Sequence, residues 1–194
     1  DNQLIELDSV DSTNNYAMAQ IHAGLASGGQ VYFARRQWGG KGQRGKTWIS
    51  EPGQNISMSL VLDPRPLSLP DQFLLGAAVA LACLNFVQQY EADGWAPKWP
   101  NDLYWRERKA AGILIENIIK GKEWLFAVIG VGMNLNQDSF LPGLSKAVSL
   151  KQITNKSFEP LTLAGDLVKA IGAQIDVLKG DPGIILEMFN KSLY

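Results

Sequence analysis

Hydrophobic and polar positions along the chain predict a succession of elements. Asp11-Ser12-Thr13-Asn14 stands ahead of Tyr16-Ala17-Met18-Ala19. Asp, Ser and Thr side chains accept the unpaired N–H groups of a first helical turn. A helix is therefore predicted from about residue 13 to Ala23, with Gly24 as its stop. Gly28-Gly29 opens a predicted strand over 30–36, and a glycine-rich loop follows over 38–47. Residues 55–62 alternate and then turn apolar, which predicts a strand. After Pro64, Pro66 and Pro70, residues 71–90 read as the longest helix, apolar on nearly all sides and so buried. Its apolar run, 73–84, is too short to span a bilayer. Residues 112–119 and 123–131 are rich in β-formers, and Lys120-Gly121-Lys122 joins them at hairpin length. Leu163, Leu167, Ile171 and Ile175 recur every fourth position, which predicts an amphipathic helix, and Asp181-Pro182 starts a last one. Strands fall in adjacent pairs and helices in blocks. That order predicts an α+β fold, with helices packed on a mixed, largely antiparallel sheet, in one domain spanning 1–194.

Composition narrows the function. Over 194 residues, 46% hydrophobic content suffices for one core. A net charge of −1 singles out no polyanionic partner, so neither DNA nor membrane is expected to bind. The lone cysteine, Cys83, lies within Leu81-Ala82-Cys83-Leu84. It excludes a disulfide framework and reads as a buried structural thiol in a reducing compartment, so a cytoplasmic location is expected. The start, Asp1-Asn2-Gln3-Leu4, has no Met and no basic-then-apolar pattern, and reads as trimmed or processed. His22, the sole histidine, falls at a predicted helix end, where it meets the last carbonyls. A zinc site or a Ser-His-Asp triad would rest on it alone, and neither is expected.

Three segments carry chemistry. Between residues 35 and 46 the bases Arg35, Arg36, Lys41, Arg44 and Lys46 occur without an acid. Gly39, Gly40, Gly42 and Gly45 let the backbone N–H groups turn toward an anion. The segment is either a phosphate or carboxylate cradle or a solvated basic loop, and Trp38 and Trp48 favour the cradle. Gly40-x4-Gly45-Lys46-Thr47 also matches the P-loop pattern, but Pro52-Gly53 follows too closely for the helix that such a loop must open. In Lys98-Trp99-Pro100-Asn101-Asp102, Pro100 places Asn101 and Asp102 at a rigid turn. That turn either faces a nucleotide's Mg²⁺-bound phosphates or is a plain Asn-Asp turn. Lys109 precedes an apolar strand and is either aimed at a buried anion or a solubilising strand end. Gly130 and Gly132 in a strand suggest close approach by a ligand or a neighbouring chain, and Asn134 beyond them is either a nucleotide contact or a turn residue.

Taken in order, the motifs at 11–14, 37–48, 98–102, 109–114 and 130–136 resemble the catalytic domain of biotin–protein ligases. The resemblance covers roughly residues 4 to 140 and implies the class II aminoacyl-tRNA synthetase-like biotin/lipoate ligase fold. It implies ATP and biotin as substrates, with Mg²⁺ carried on substrate phosphates and no protein ligands identified. Biotinyl-5′-AMP would form first, and a lysine of a biotin carboxyl carrier protein, a carboxylase subunit or domain, would then take the biotin. It implies that Ser12, Thr13, Asn14, Gln37 and Gly112 contact biotin, and that Lys41, Gly42 and Gln43 close over its carboxylate. Gly40, Lys41, Gln43, Arg44, Trp48, Asn101 and Asn134 would contact ATP. Lys109 would bridge the carboxylate and the α-phosphate as the main catalytic residue, and Asp102 would receive the incoming lysine. Lys41 and Gln43 stand where the family usually has arginines, which predicts a weaker hold on the adenylate; Arg44 is the candidate substitute. No N-terminal DNA-binding domain is expected, and a small C-terminal β domain is expected to be absent or cut off at Tyr194. The protein would be a monomer or homodimer. A lipoate–protein ligase and a non-catalytic biotin or nucleotide-binding module are the alternatives.

Overall fold

The computed structural model describes residues 3–144 and 146–193; Tyr194, where the sequence reading set the cut-off of a C-terminal β domain, lies outside the described residues. Its strands are β1 (Gln3–Val10), β2 (Gln30–Gln37), β3 (Ile56–Leu62), β4 (Trp95–Lys98), β5 (Asp102–Trp105), β6 (Arg108–Lys120) and β7 (Glu123–Met133). They form one sheet in the order β1-β2-β3-β7-β6-β5-β4. Only β1 and β2 run parallel; the other neighbours are antiparallel. The helices are α1 (Thr13–His22), α2 (Gln72–Val87), α3 (Leu150–Thr154), α4 (Pro160–Gly180) and α5 (Pro182–Ser192).

Strand alternation divides the side chains between two faces. Val31 and Phe33 of β2, with Met58 and Leu60 of β3, join Leu75, Leu81 and Phe86 of α2 and Leu167 and Ile171 of α4 in the main core. Tyr32, Val61 and Val128, from the alternate positions, pack with Ala17 of α1 in a smaller cluster. Ile5, Leu7 and Phe126 pack against that cluster, and over the middle of the sheet the positions on this face are mostly small or polar. Asp102, Gly112, Gly132 and Ser57 lie opposite one another across β5, β6, β7 and β3, and Leu114, Gly130 and Ser59 form the next row. Rows made mostly of glycine and serine leave a hollow over the middle of the sheet.

Several boundaries differ from the sequence reading. The longest helix is α4, with 21 residues, because α2 stops at Val87 after 16. Counted from Leu69, the apolar stretch is 19 residues, long enough to cross a membrane. Packing, rather than length, places it in the core, since Leu75 through Val87 are mostly buried against α4 and α5. β6 begins four positions earlier than predicted, so Lys109 sits inside a strand, where its backbone also pairs with Ala147. β1 escaped the reading because its hydrophobic positions do not alternate cleanly. β4 and β5 escaped because each has four residues.

Candidate active site

The site begins at the N-terminus of α1. Ser12 caps the helix by accepting from the Asn15 N–H. Ser12, Thr13 and Asn14 are each no more than 3% exposed, and burying three polar side chains is costly unless they find partners. Thr13 donates from both N and Oγ1 to Gln37 Oε1, at 2.8 and 3.1 Å. Gln37 Nε2 then lies beside Gly40. Ser59 Oγ, fully buried on β3, stands 2.7 Å from Thr13 Oγ1 and 2.6 Å from Asn14 Oδ1. Asn14 Nδ2 donates to Glu116 Oε2 at 2.8 Å and to the Leu114 carbonyl at 3.3 Å.

The glycine loop is a small hairpin. Lys41 pairs with Thr47, Trp48 N donates to Gly40 O at 2.8 Å, and Gly42 N donates to Lys46 O at 2.7 Å. Its tip is a single 3-10 turn, Gln43–Gly45, with Arg44 and Gly45 in the left-handed region. No helix follows, so the P-loop pattern has no helix N-terminus to hold phosphate. A Cβ on Gly40 would stand 2.4 Å from Trp48 O, which makes the residue a crossing point of the hairpin.

The close approach expected at Gly130 and Gly132 is present, and side chains of this same chain make it. A Cβ on Gly130 would lie 2.3 Å from Asn14 Oδ1; one on Gly132 would lie 2.4 Å from Trp48 Cε2. The Trp48 ring also lies over Gly112. Its Nε1 is buried without a hydrogen-bond partner among the described residues. A buried unpaired donor is costly, so an acceptor is wanted there.

Lys109 Nζ is 2.7 Å from Asp102 Oδ1 and 5.7 Å from the Trp48 ring centroid. Asn101 Nδ2 donates to Ile113 O at 3.0 Å and ties the β4–β5 turn to β6. Asn134 Nδ2 donates to Val148 O at 3.2 Å, which ties the end of β7 to the segment before α3. Both residues thus hold turns as well as line the cleft.

These elements enclose a cleft of about 620 Å³. Ser12, Thr13, Asn14 and Gln37 line one end, and Lys41, Gly42, Gln43 and Arg44 form its cover. Trp48, Asn101, Asp102, Lys109, Gly112 and Asn134 complete it. Of the residues that the resemblance assigns to biotin, ATP or catalysis, only Gly40 is not on its wall; it lines an adjoining cavity of about 380 Å³ with Lys41, Arg44, Lys46 and Glu116. Trp38 is 71% exposed, so of the loop's two tryptophans only Trp48 serves the cleft. The sequence reading missed Ser59 and Glu116, which hold Asn14, and Phe140, Leu144 and Ala147, which close the cleft from a segment without periodic pattern. Such a cleft can take a polar planar group among buried amides and hydroxyls. It can also take an anion beside Lys109, and a ring against Trp48.

The chain is 34% identical over 169 residues to the biotin–[acetyl-CoA-carboxylase] ligase of Paracoccus denitrificans, covering 79% of this chain and 65% of that protein. It is 34% identical over 131 residues to the bifunctional ligase/repressor BirA of Escherichia coli, covering 66% of this chain but 39% of that protein. It therefore spans less than two thirds of the length of these relatives. The biotin protein ligase of Leishmania major, solved with biotinyl-5-AMP, superposes with a TM-score of 0.79 at 25% identity, over 99% of this chain and 81% of that one. The model of the biotin/lipoate A/B protein ligase family matches residues 6–134, the stretch that carries most of the cleft, and the chain belongs to that family.

Proposed function

We propose that this chain joins biotin to ATP as biotinyl-5′-AMP and transfers the biotin to a lysine of a biotin carboxyl carrier protein. The observation that carries the reading is the convergence of Lys109, held by Asp102, with the buried polar cap of α1 on a single cleft. In the first step a carboxylate oxygen bonds to the α-phosphorus and the bond to pyrophosphate breaks. In the second a carrier amine bonds to the acyl carbon and AMP leaves. Ser12, Thr13, Asn14 and Gln37 hold the ureido ring, whose N–H and C=O groups match fixed hydroxyl and amide partners. Trp48 offers the nucleotide a ring face, with Asn101 and Asn134 beside it. Lys109 neutralises the charge that builds between carboxylate and α-phosphate, in a place already organised for it. Asp102, at 2.7 Å, positions that ammonium and is the base nearest to accept the incoming amine's proton. Among the described residues no cluster of three His, Cys, Asp or Glu could hold a metal ion. Mg²⁺ is accordingly proposed to be carried by the nucleotide's phosphates, since it prefers oxygen ligands and keeps several waters. Residues 1–194 are proposed to act as one catalytic domain, in a reducing compartment that suits the buried Cys83 thiol.

Biotin-dependent ATP–pyrophosphate exchange tests the reading, with lipoate in parallel. Exchange with biotin alone is expected, and it should fall about 10²–10³-fold in Lys109→Ala. Exchange with lipoate instead would move the assignment within the family. Exchange with neither would leave a binding module. Asp102→Ala that transferred at the normal rate from preformed adenylate would remove Asp102 from the amine step.

A further inference from the structure

We propose that Glu116 is a positioning residue that latches the glycine loop over the cleft and yields Lys41 to the substrate anion on binding. The inference rests on the ligase reading for the identity of that anion, and on geometry alone for the latch. Glu116 lies on β6, and each of its carboxylate oxygens has its own task. Oε2 accepts from Asn14 Nδ2 at 2.8 Å, which leaves the other end of that amide, Oδ1, on Ser59. Oε1 accepts from Lys41 Nζ at 2.8 Å. The same ammonium donates to Asn15 Oδ1 at 3.0 Å, and Asn15 Nδ2 donates to Asp11 Oδ2 at 2.6 Å. One strand residue therefore ties the first turn of α1 to the loop that covers the cleft.

The place of Lys41 makes this a latch and not a fixed brace. Lys41 lines both the main cleft and the adjoining 380 Å³ cavity, whereas Glu116 lines only the latter. While it is paired, the ammonium is committed to the side cavity. A carboxylate or phosphate in the main cleft competes for the same charge. The Lys41 and Glu116 side chains are 39% and 28% exposed, and a pair so open to solvent is weak enough to be exchanged. Lysine suits such an exchange, because a point charge on a flexible stem can change partner without losing a planar two-bond fit.

Glu116→Gln tests the latch, because glutamine keeps an acceptor for Asn14 and removes the charge that holds Lys41. In the ligand-free protein, trypsin cleavage after Arg44 and Lys46 is expected to quicken about threefold to fivefold, the size of a half-exposed pair. Lys41→Gln should produce the same increase, and the double variant no more than either alone. In pyrophosphate exchange, the KM for biotin should fall in Glu116→Gln while kcat changes little. Equal cleavage in wild type and Glu116→Gln, additive effects in the double variant, or an unchanged KM would overturn the proposal. If wild type shows no biotin-dependent exchange, the ligase reading fails, while the ligand-free cleavage rates still decide the latch.

Discussion

Trp48 and Gly132 have a pairwise fit that a single methyl group would spoil. A Cβ at 132 would fall 2.4 Å from Cε2 and 2.6 Å from Nε1 of the ring, and neither a strand backbone nor a packed indole gives way by that much. Gly132→Ala is expected to cost about 1–3 kcal/mol, the usual penalty for overpacking, and to push the indole toward solvent. Chemical denaturation and tryptophan emission read both effects. In a Trp48→Ala background the penalty should disappear, and a penalty that persisted there would show that the indole is not the obstacle. The sequence marked both residues, because glycine in a strand and tryptophan in a glycine loop are unusual choices. It could not show that they meet, since residues 48 and 132 come together only through the β3–β7 and β6–β7 registers. Ser59 and Glu116 were missed for the same reason. Nothing in Ser57-Met58-Ser59-Leu60 says that the serine face of the strand meets α1, and a glutamate after Gly112-Ile113-Leu114-Ile115 reads as a strand's ordinary charged position.

Elements with a long, regular pattern were legible, and short ones were not. α1, α2, α4, α5 and the β6–β7 hairpin follow from periodicity and caps. β4 and β5 are too short to show a period, and they exist because the Trp99–Asn101 turn folds them onto each other and onto β6. The entry to α2 is set by a local device. Ser68 donates from both N and Oγ to Asp71 Oδ2, at 2.8 Å each, just before the helix starts at Gln72. Those two bonds hold the Asp71 carboxyl below the ordinary carboxylate range. A folded-state value below the unfolded one means that the stabilisation is complete above the unfolded carboxylate range. It is lost as pH falls through the lowered folded value. Asp63, lowered chiefly by its hydrogen bonds from Arg65, acts with the same sign in the same window. Asp71→Asn should therefore be less stable than wild type at about pH 7, with the gap closing toward about pH 3. A gap of constant size across that range would mean that the Asp71 charge contributes nothing to the entry of α2.

At the scale of the whole molecule, the cleft draws on distant parts of the chain. Ser12 and Gln37 come from its beginning, Trp48 from the loop, Asp102 and Lys109 from the far side of the sheet, and Asn134 and Ala147 from beyond β7. Few of these contacts are local, so the site exists only when the sheet is complete, and unfolding the sheet destroys it. A ligand that binds the site must then stabilise the entire fold by mass action. With biotin and a non-hydrolysable ATP analogue each near a hundred times its dissociation constant, each saturated site adds about 2.7 kcal/mol. For a chain of this size one such increment raises the melting temperature by about 5–11 °C. Thermal unfolding with biotin alone, with the nucleotide alone and with both should show two increments whose combination exceeds their sum, because Lys109 faces both ligands in the proposed arrangement. Lys109→Ala should keep the biotin increment that α1 and Gln37 supply and lose the excess seen with both ligands. A variant that kept that excess would place the meeting point of acid and phosphate elsewhere in the cleft. A wild type that gained nothing from biotin would show that the polar cap of α1 is built for another molecule.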